Sequence, residues 1–271
     1  MKEIKLICTD IDGTLLNDDK KISDLNKEML RKAYEEKNIP LILTSGRFKA
    51  GLTSIQKELD FPTGISCFNG CYIEIDNVVL KDERLNIDDV TKLIPIIKSN
   101  NSYPILNDLE YAYMEDEGEW FKQMNSIFPD VSIAEPFDQL ISDWKKKNYS
   151  PHKIIVRDHN PENLLITKKL IENSGIEGVD TFLSASTILE IVPNGVNKGT
   201  TVDIMCDAMK ISKANVMSFG DYNNDIELIE TSGYGIAMDN AIDEVKSVAF
   251  DVTHSNNEDG LATAIKKYIF S

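Results

Sequence analysis

The sequence predicts an α/β protein, with a Rossmann-like parallel sheet as core and an α+β domain inserted into it. Three observations carry that expectation. Over the first eighty residues short apolar strands alternate with helical segments, which indicates crossover units and a parallel sheet. Between residues 85 and 188 the texture changes, and aromatics such as Tyr103, Tyr111, Tyr113, Trp120, Phe121, Phe128, Phe137 and Trp144 become denser. The strand-helix rhythm then resumes at residues 216–219, 234–237 and 248–252. The expected domains are residues 1–84 with 189–271 for the core and 85–188 for the insert.

Each element has a local reason. Ile4, Leu6 and Ile7 read as a buried strand ending at Thr9. Leu25, Met29, Ala33 and Tyr34 fall on one helix face, with Ser23 placed as its cap. Residues 39–44 form the next strand; Phe48, Leu52, Ile55 and Leu59 follow at helical spacing, and residues 65–68 form a third strand. Residues 72–75 and 78–81, joined by Asp76-Asn77, read as a hairpin that leaves the parallel sheet. In the insert, strands such as residues 152–156 alternate with helices such as residues 162–172. Val202, Met205, Cys206 and Met209 predict a helix, and Ile226, Leu228 and Ile229 begin another.

Composition excludes some functions. A formal net charge of -16 over 271 residues argues against a nucleic-acid partner, because binding a polyanion depends on neutralising phosphates with Lys and Arg. An anionic substrate must then be drawn in by a metal and a few placed cations. The four cysteines, Cys8, Cys67, Cys71 and Cys206, sit mostly in apolar patterns and read as structural, as in a reducing compartment. The chain starts directly in a strand and has no apolar run long enough to span a bilayer, so a cytoplasmic protein is expected.

The chemistry lies at strand ends. Asp10 and Asp12 leave the first strand one residue apart and on one side. Two carboxylates so placed repel each other unless a cation or shared proton compensates, and Asp-x-Asp-Gly with Gly13 is also a common turn. Thr44-Ser45-Gly46-Arg47 follows the second strand and opens a helix, where a hydroxyl and backbone N–H groups can face an anion. Asn69-Gly70 ends the third strand, a turn pattern in itself. Lys198 stands at the start of a helix, where the dipole disfavours a cation, so another group must favour it. Gly220-Asp221-Tyr222-Asn223-Asn224-Asp225 repeats the strand-then-acid layout of Asp10. The three histidines, His152, His159 and His254, are scattered and read as structural or surface residues.

Asp10-Ile11-Asp12-Gly13-Thr14, Ser45, Lys198 and the Gly-Asp-x-x-Asn-Asp loop, in this order, resemble the four signature motifs of the haloacid dehalogenase-like hydrolases. The late segments, including Ala237-Met238-Asp239-Asn240-Ala241, look like the Cof-type, sugar-phosphatase-like branch with a large α+β cap. The resemblance implies that Asp10 is a nucleophile forming an aspartyl-phosphate and Asp12 a general acid/base, while Lys198 neutralises phosphate and carboxylates. It implies phosphate contacts from Ser45, Gly46, Arg47, Asn69, Gly70 and Asn224. An oxygen-only set suits Mg2+, with Asp10 and Asp221 as carboxylate ligands, Asp12 through its main-chain carbonyl, and Asn224 and Asp225 in support. The chain departs from the branch at Asp239, where Gly is usual.

The function so implied is Mg2+-dependent hydrolysis of small phosphorylated metabolites. Sugar phosphates lead, with pyridoxal phosphate or flavin mononucleotide as further substrates. A hexose phosphomutase and a non-catalytic phospho-ligand binder are the alternatives. No nucleic acid or membrane is expected as a partner, and the protein is expected to be a monomer or small homo-oligomer.

Overall fold

The computed structural model describes residues 2–127 and 129–271; Phe128, noted above among the aromatics of the insert, lies outside the described residues. The chain divides into two compact units, Met1–Asp82 with Asn197–Ser271, and Glu83–Val196.

The first unit begins with β1 (Leu6–Thr9), α1 (Asp24–Lys37), β2 (Leu41–Thr44), α2 (Lys49–Leu59), β3 (Gly64–Cys67), β4 (Tyr72–Ile75) and β5 (Val78–Asp82). All residues of β1, β2 and β3 are buried, as continuous apolar runs require in a sheet covered on both faces. Ser23 caps α1, its hydroxyl accepting from the Asn26 N–H at 3.1 Å. The buried stripe of that helix is Asn26, Met29, Leu30 and Ala33; Leu25, expected on it, is exposed. The β4–β5 hairpin does not leave the sheet. It extends it, because β4 pairs antiparallel with β3 and β5 with β4.

The second unit contains α3 (Ile87–Ser99), β6 (Tyr103–Asn107), β7 (Ala112–Met114), α4 (Glu119–Ile127), β8 (Ser132–Ala134), α5 (Phe137–Lys146), β9 (Lys153–Arg157), α6 (Pro161–Glu172), β10 (Val179–Ala185) and β11 (Ile188–Pro193). Its six strands lie in the order β10-β11-β9-β6-β7-β8. Phe137, Leu140, Ile141 and Trp144 bury one face of α5 in a core shared with α3, α6, β6, β9 and β11. The structure corrects the expected boundary at residue 189. β11 pairs antiparallel with β9 through Leu189 and Val156, and Leu189 and Ile191 are buried in this unit's core. An apolar strand pattern reports burial without saying which sheet provides it, so the return falls at Asn197 and the departure after Asp82.

The chain completes its first unit with α7 (Gly199–Met209), β12 (Val216–Gly220), α8 (Ile226–Thr231), β13 (Tyr234–Ala237), α9 (Asp243–Val248), β14 (Asp251–Val252) and α10 (Gly260–Ile269). The strand expected over residues 248–252 is shorter, because α9 takes Val248. The eight strands lie in the order β14-β13-β12-β1-β2-β3-β4-β5, parallel from β14 to β3. Successive strands run one way from β1 to β3 and the other way from β12 to β14. The direction reverses between β1 and β12, and the carboxyl ends of strands at such a reversal form a ready crevice. The four cysteines are buried thiols, and no helix of the described residues is long and apolar enough to cross a membrane.

Candidate active site

The reversal point carries the acids. β1 pairs with β12 in a register that sets Thr9 beside Phe219, and the Asp10 N–H donates to the Phe219 carbonyl at 3.0 Å. Asp10 and Asp221 therefore leave adjoining strand ends. With Asp225 they form a group in which one carboxylate oxygen of each lies within 4.8 Å of the others.

Lys198 holds this group together from within. Its side chain is 1% exposed, and its Nζ donates to Asp10 Oδ1 and to Asp225 Oδ1, each at 2.6 Å. These two carboxylates are what favours a cation just before α7. Burial works against the lysine charge, but Asp10 and Asp225 outweigh it and hold its pKa above the ordinary value. One ammonium shared between buried acids does not balance them all. Burial, with the Asp225 charge adding to it, pushes Asp10 up to about 8 against the pull of Lys198. Asp221 is pushed up to about 6, mainly by burial, against a hydrogen bond from Thr14.

The three acids are not equivalent. Asp225 is fully engaged: Oδ1 accepts from Lys198, and Oδ2 accepts from the Asp221 and Tyr222 N–H groups, both at 3.0 Å. It ties its own loop together, and Gly220 makes room, since a Cβ there would lie 2.4 Å from Asp225 Cβ. Among the described residues Asp10 Oδ2 has no hydrogen-bond partner, and the Asp221 carboxylate accepts only from Thr14 Oγ1, at 2.7 Å. Asp10 and Asp221 thus keep open oxygens for a hard cation, and an all-oxygen donor set fits Mg2+.

Gly13 lets Asp221 come close. Its φ is +82°, and a Cβ at this position would sit 2.4 Å from Asp221 Oδ2. Gly13→Ala is expected to displace the Asp221 carboxylate and lower kcat/KM by about 10²-fold, the usual cost of an ångström-scale misplacement. Steady-state assays on a phosphate monoester, with circular dichroism to confirm folding, check this.

Asp12 is held separately. Arg47 grips its carboxylate with two bonds, Nε to Oδ2 at 2.9 Å and Nη2 to Oδ1 at 2.7 Å, and Lys20 Nζ donates to Oδ1 at 3.1 Å. Partial burial opposes ionisation, yet the charge and hydrogen bonds of Arg47, with those of Lys20, hold Asp12 below the usual carboxylate range.

The loop after β2 differs from expectation. It does not open a helix: α2 starts at Lys49 with Phe48 as its N-cap, and Ser45 Oγ instead accepts from the Arg47 N–H at 3.2 Å. Three residues in a row after β3 have positive φ, Phe68 at 52°, Asn69 at 57° and Gly70 at 103°. A left-handed phenylalanine is costly, and such strain is kept where the surroundings impose it. Here the turn brings the Asn69 N–H to the Ser45 carbonyl at 2.9 Å and Asn69 Oδ1 to Asn224 Nδ2 at 3.3 Å. Gly70 is required at the end of this turn, since its φ is +103° and a Cβ there would lie 2.7 Å from the Asn197 carbonyl.

The site residues expected from the sequence all lie in the first unit, and two hydrogen-bonded groups form among them: Asp10, Lys198, Asp221 and Asp225 in one, and Asp12, Arg47, Ser45, Asn69 and Asn224 in the other. Thr14 and Lys20 complete the arrangement without having been singled out for a role. Thr14 stood in the first motif unremarked, and no pattern marks Lys20, which reaches Asp12 from a loop turn. The histidines take no part. His152 is buried in the other unit, His159 stacks on Trp120 with ring centroids 4.6 Å apart, and His254 is exposed. Asp239 is also exposed, 4.0 Å from Lys246, and the next residue, Asn240, donates to the Gly13 carbonyl at 2.8 Å.

A parallel sheet with acids and a buried lysine at its reversal point is the layout of an α/β protein whose ligand site lies at the carboxyl ends of its strands. The chain belongs to the haloacid dehalogenase-like hydrolase family, whose family model matches residues 7–265. It is 28% identical over 270 residues to the 5-amino-6-(5-phospho-D-ribitylamino)uracil phosphatase YcsE of Bacillus subtilis, covering 98% of this chain and 96% of that protein. Identity is 27% over 271 residues to the YitU phosphatase of the same name and organism, with 97% of each chain covered. A crystal structure of a haloacid dehalogenase-like hydrolase from Bacteroides thetaiotaomicron superposes with a TM-score of 0.85 at 27% identity, covering 98% of this chain and 99% of that one. The protein is an enzyme of the phosphatase type.

Proposed function

We propose that this phosphatase hydrolyses small phosphorylated metabolites through an aspartyl-phosphate on Asp10, with Mg2+ as cofactor. The observation that carries the proposal is the Lys198 ammonium set between Asp10 and Asp225, beside an Asp221 whose carboxylate keeps open oxygens. In this reading one carboxylate oxygen of Asp10 attacks phosphorus, and the leaving oxygen takes a proton from Asp12. Asp12 then draws a proton from the water that cleaves the acyl phosphate. Ser45 and Asn224 orient the phosphoryl oxygens, Asn69 and Gly70 support them, and Lys198 offsets their charge. Asp10, Asp221 and the Asp12 main-chain carbonyl would hold Mg2+, which supplies further charge neutralisation when bound.

The residue 83–196 unit is assigned the choice of leaving group. Sugar phosphates are the leading substrate class, and the names of the Bacillus relatives add a phosphorylated ribityl compound of the same polyol-phosphate chemistry. Release of phosphate from an aryl phosphate, measured with Mg2+ and with chelator, tests the reading. Metal-dependent release supports it, whereas none would overturn it.

A second expected result does not depend on turnover. Because the acids outnumber the lysine they share, Mg2+ should stabilise the fold, by about 2.7 kcal/mol at a hundred times its Kd. Thermal melts in Mg2+ and in chelator read this directly, and equal melting temperatures would argue against a metal at these acids.

A further inference from the structure

We infer that Arg47 is a positioning residue that aims the Asp12 carboxyl, rather than a ligand of the substrate's phosphoryl group; the inference rests on the phosphatase mechanism proposed above. The family resemblance implies a phosphate contact for Arg47, but its guanidinium is committed elsewhere. Two bonds, 2.9 Å from Nε and 2.7 Å from Nη2, engage both oxygens of Asp12. A paired fork of this kind fixes the plane of a carboxylate as well as its distance.

The arginine is itself held in place. Its N–H donates to Ser45 Oγ at 3.2 Å, and its carbonyl accepts from the Phe68 N–H at 3.2 Å. Its stem lies across Gly51, where a Cβ would stand 3.4 Å from Arg47 Cβ and Cδ. The strained Phe68–Gly70 turn thus supports the Asp12 clamp as well as Ser45. Lys20, by contrast, reaches Asp12 through one bond from a side chain 64% exposed, against 29% for Arg47. A point charge on a solvated stem does not orient a plane.

Orientation matters at one step. As the Asp10 oxygen bonds to phosphorus, the bond from phosphorus to the leaving oxygen breaks, and its electron pair stays on that oxygen, which takes a proton from Asp12. The Asp12 carboxylate, held ionised by Arg47 and Lys20 in the free enzyme, gains that proton from solvent as the phosphate dianion binds. In the second half Asp12 accepts a proton from water, whose oxygen bonds to phosphorus as the Asp10–phosphorus bond breaks. A poor leaving group needs that proton early, while a nitrophenolate departs without it. The contribution of Arg47 therefore depends on the leaving group. A phosphoryl ligand would touch the same three oxygens in every ester and contribute equally to all.

The test is a series of aryl and benzyl phosphates of rising leaving-group pKa, assayed with Mg2+ for wild type, Arg47→Ala and Arg47→Lys. The expected loss in kcat/KM grows along the series, from about threefold for a dinitrophenyl ester to about 10²-fold for the benzyl ester, as loss of an aimed general acid predicts. Arg47→Lys should follow Arg47→Ala, because an ammonium lacks the fork. An equal loss across the series, or recovery of the whole series by lysine, would overturn the inference while leaving the phosphatase reading intact. Wild-type enzyme without metal-dependent release from any ester would overturn both. Circular dichroism checks folding, and if the alanine variant does not fold, the lysine variant decides.

Discussion

Asp10→Asn is expected to lower turnover by about 10⁴-fold or more, the scale on which removal of a nucleophile acts. An amide oxygen cannot form the acyl phosphate, and no other described carboxylate occupies its place at the end of β1. The fold should survive. Asn is nearly isosteric, its carbonyl can still accept from Lys198, and Lys198 keeps Asp225. The pH dependence of stability gives a second reading of the same variant. In metal-free protein the Asp10 pKa is raised to about 8 from 3.8. Its stabilising contribution is therefore complete below pH 3.8 and is lost as pH rises through 8, where the buried carboxylate must ionise. The asparagine variant has no such loss. In chelator at pH 8 it should melt at least as high as wild type, and a lower melting temperature would contradict the burial argument.

Lys198→Met should damage both activity and stability. The lysine is buried between Asp10 and Asp225, whose side chains are 8% and 1% exposed. Removing one partner of a buried ionic group typically costs about 3–5 kcal/mol, because the remaining charges lose their compensation in a poorly solvated place. Urea unfolding in chelator measures the loss. Two changes should recover part of it: addition of Mg2+, and the second substitution Asp225→Asn, which removes an acid that the methionine leaves unpaired. Double variants no more stable than the single one would show that Lys198 acts through packing alone. Turnover should not return in the double variant, since the charge facing the substrate is still missing.

These effects were legible in the sequence to different depths. The alternation of strand and helix marks the core because parallel strands buried on both faces are continuous apolar runs, as in β1 and β2. Asp10, Lys198 and Asp221 stand out because each is a charged group at a strand end or helix start, where a soluble protein needs a reason for it. What was not legible depended on pairing. Leu189 and Ile191 are apolar in either sheet, so the pattern could not place β11 in the second unit. Ser45 fits a helix cap in sequence, but the chain turns through Gly46 and Arg47 before α2 begins. The grip of Arg47 on Asp12 joins residues 35 positions apart, and no local spacing signals it.

The reversal of strand order at β1 and β12 also governs how this site comes into being. Asp10 and Lys198 are 188 residues apart, with the whole second unit translated between them. At about 5–20 residues per second, the ribosome takes about 10–40 s to deliver the lysine after the aspartate. During that interval β1 has β2 beside it but lacks β12, so its apolar edge is open to mispairing and its aspartate has no counter-charge. The Asp10–Lys198–Asp225 cluster therefore cannot assemble on a nascent N-terminal fragment. It forms only when β12 docks, which makes activity a direct report that the final third of the chain has folded onto the first.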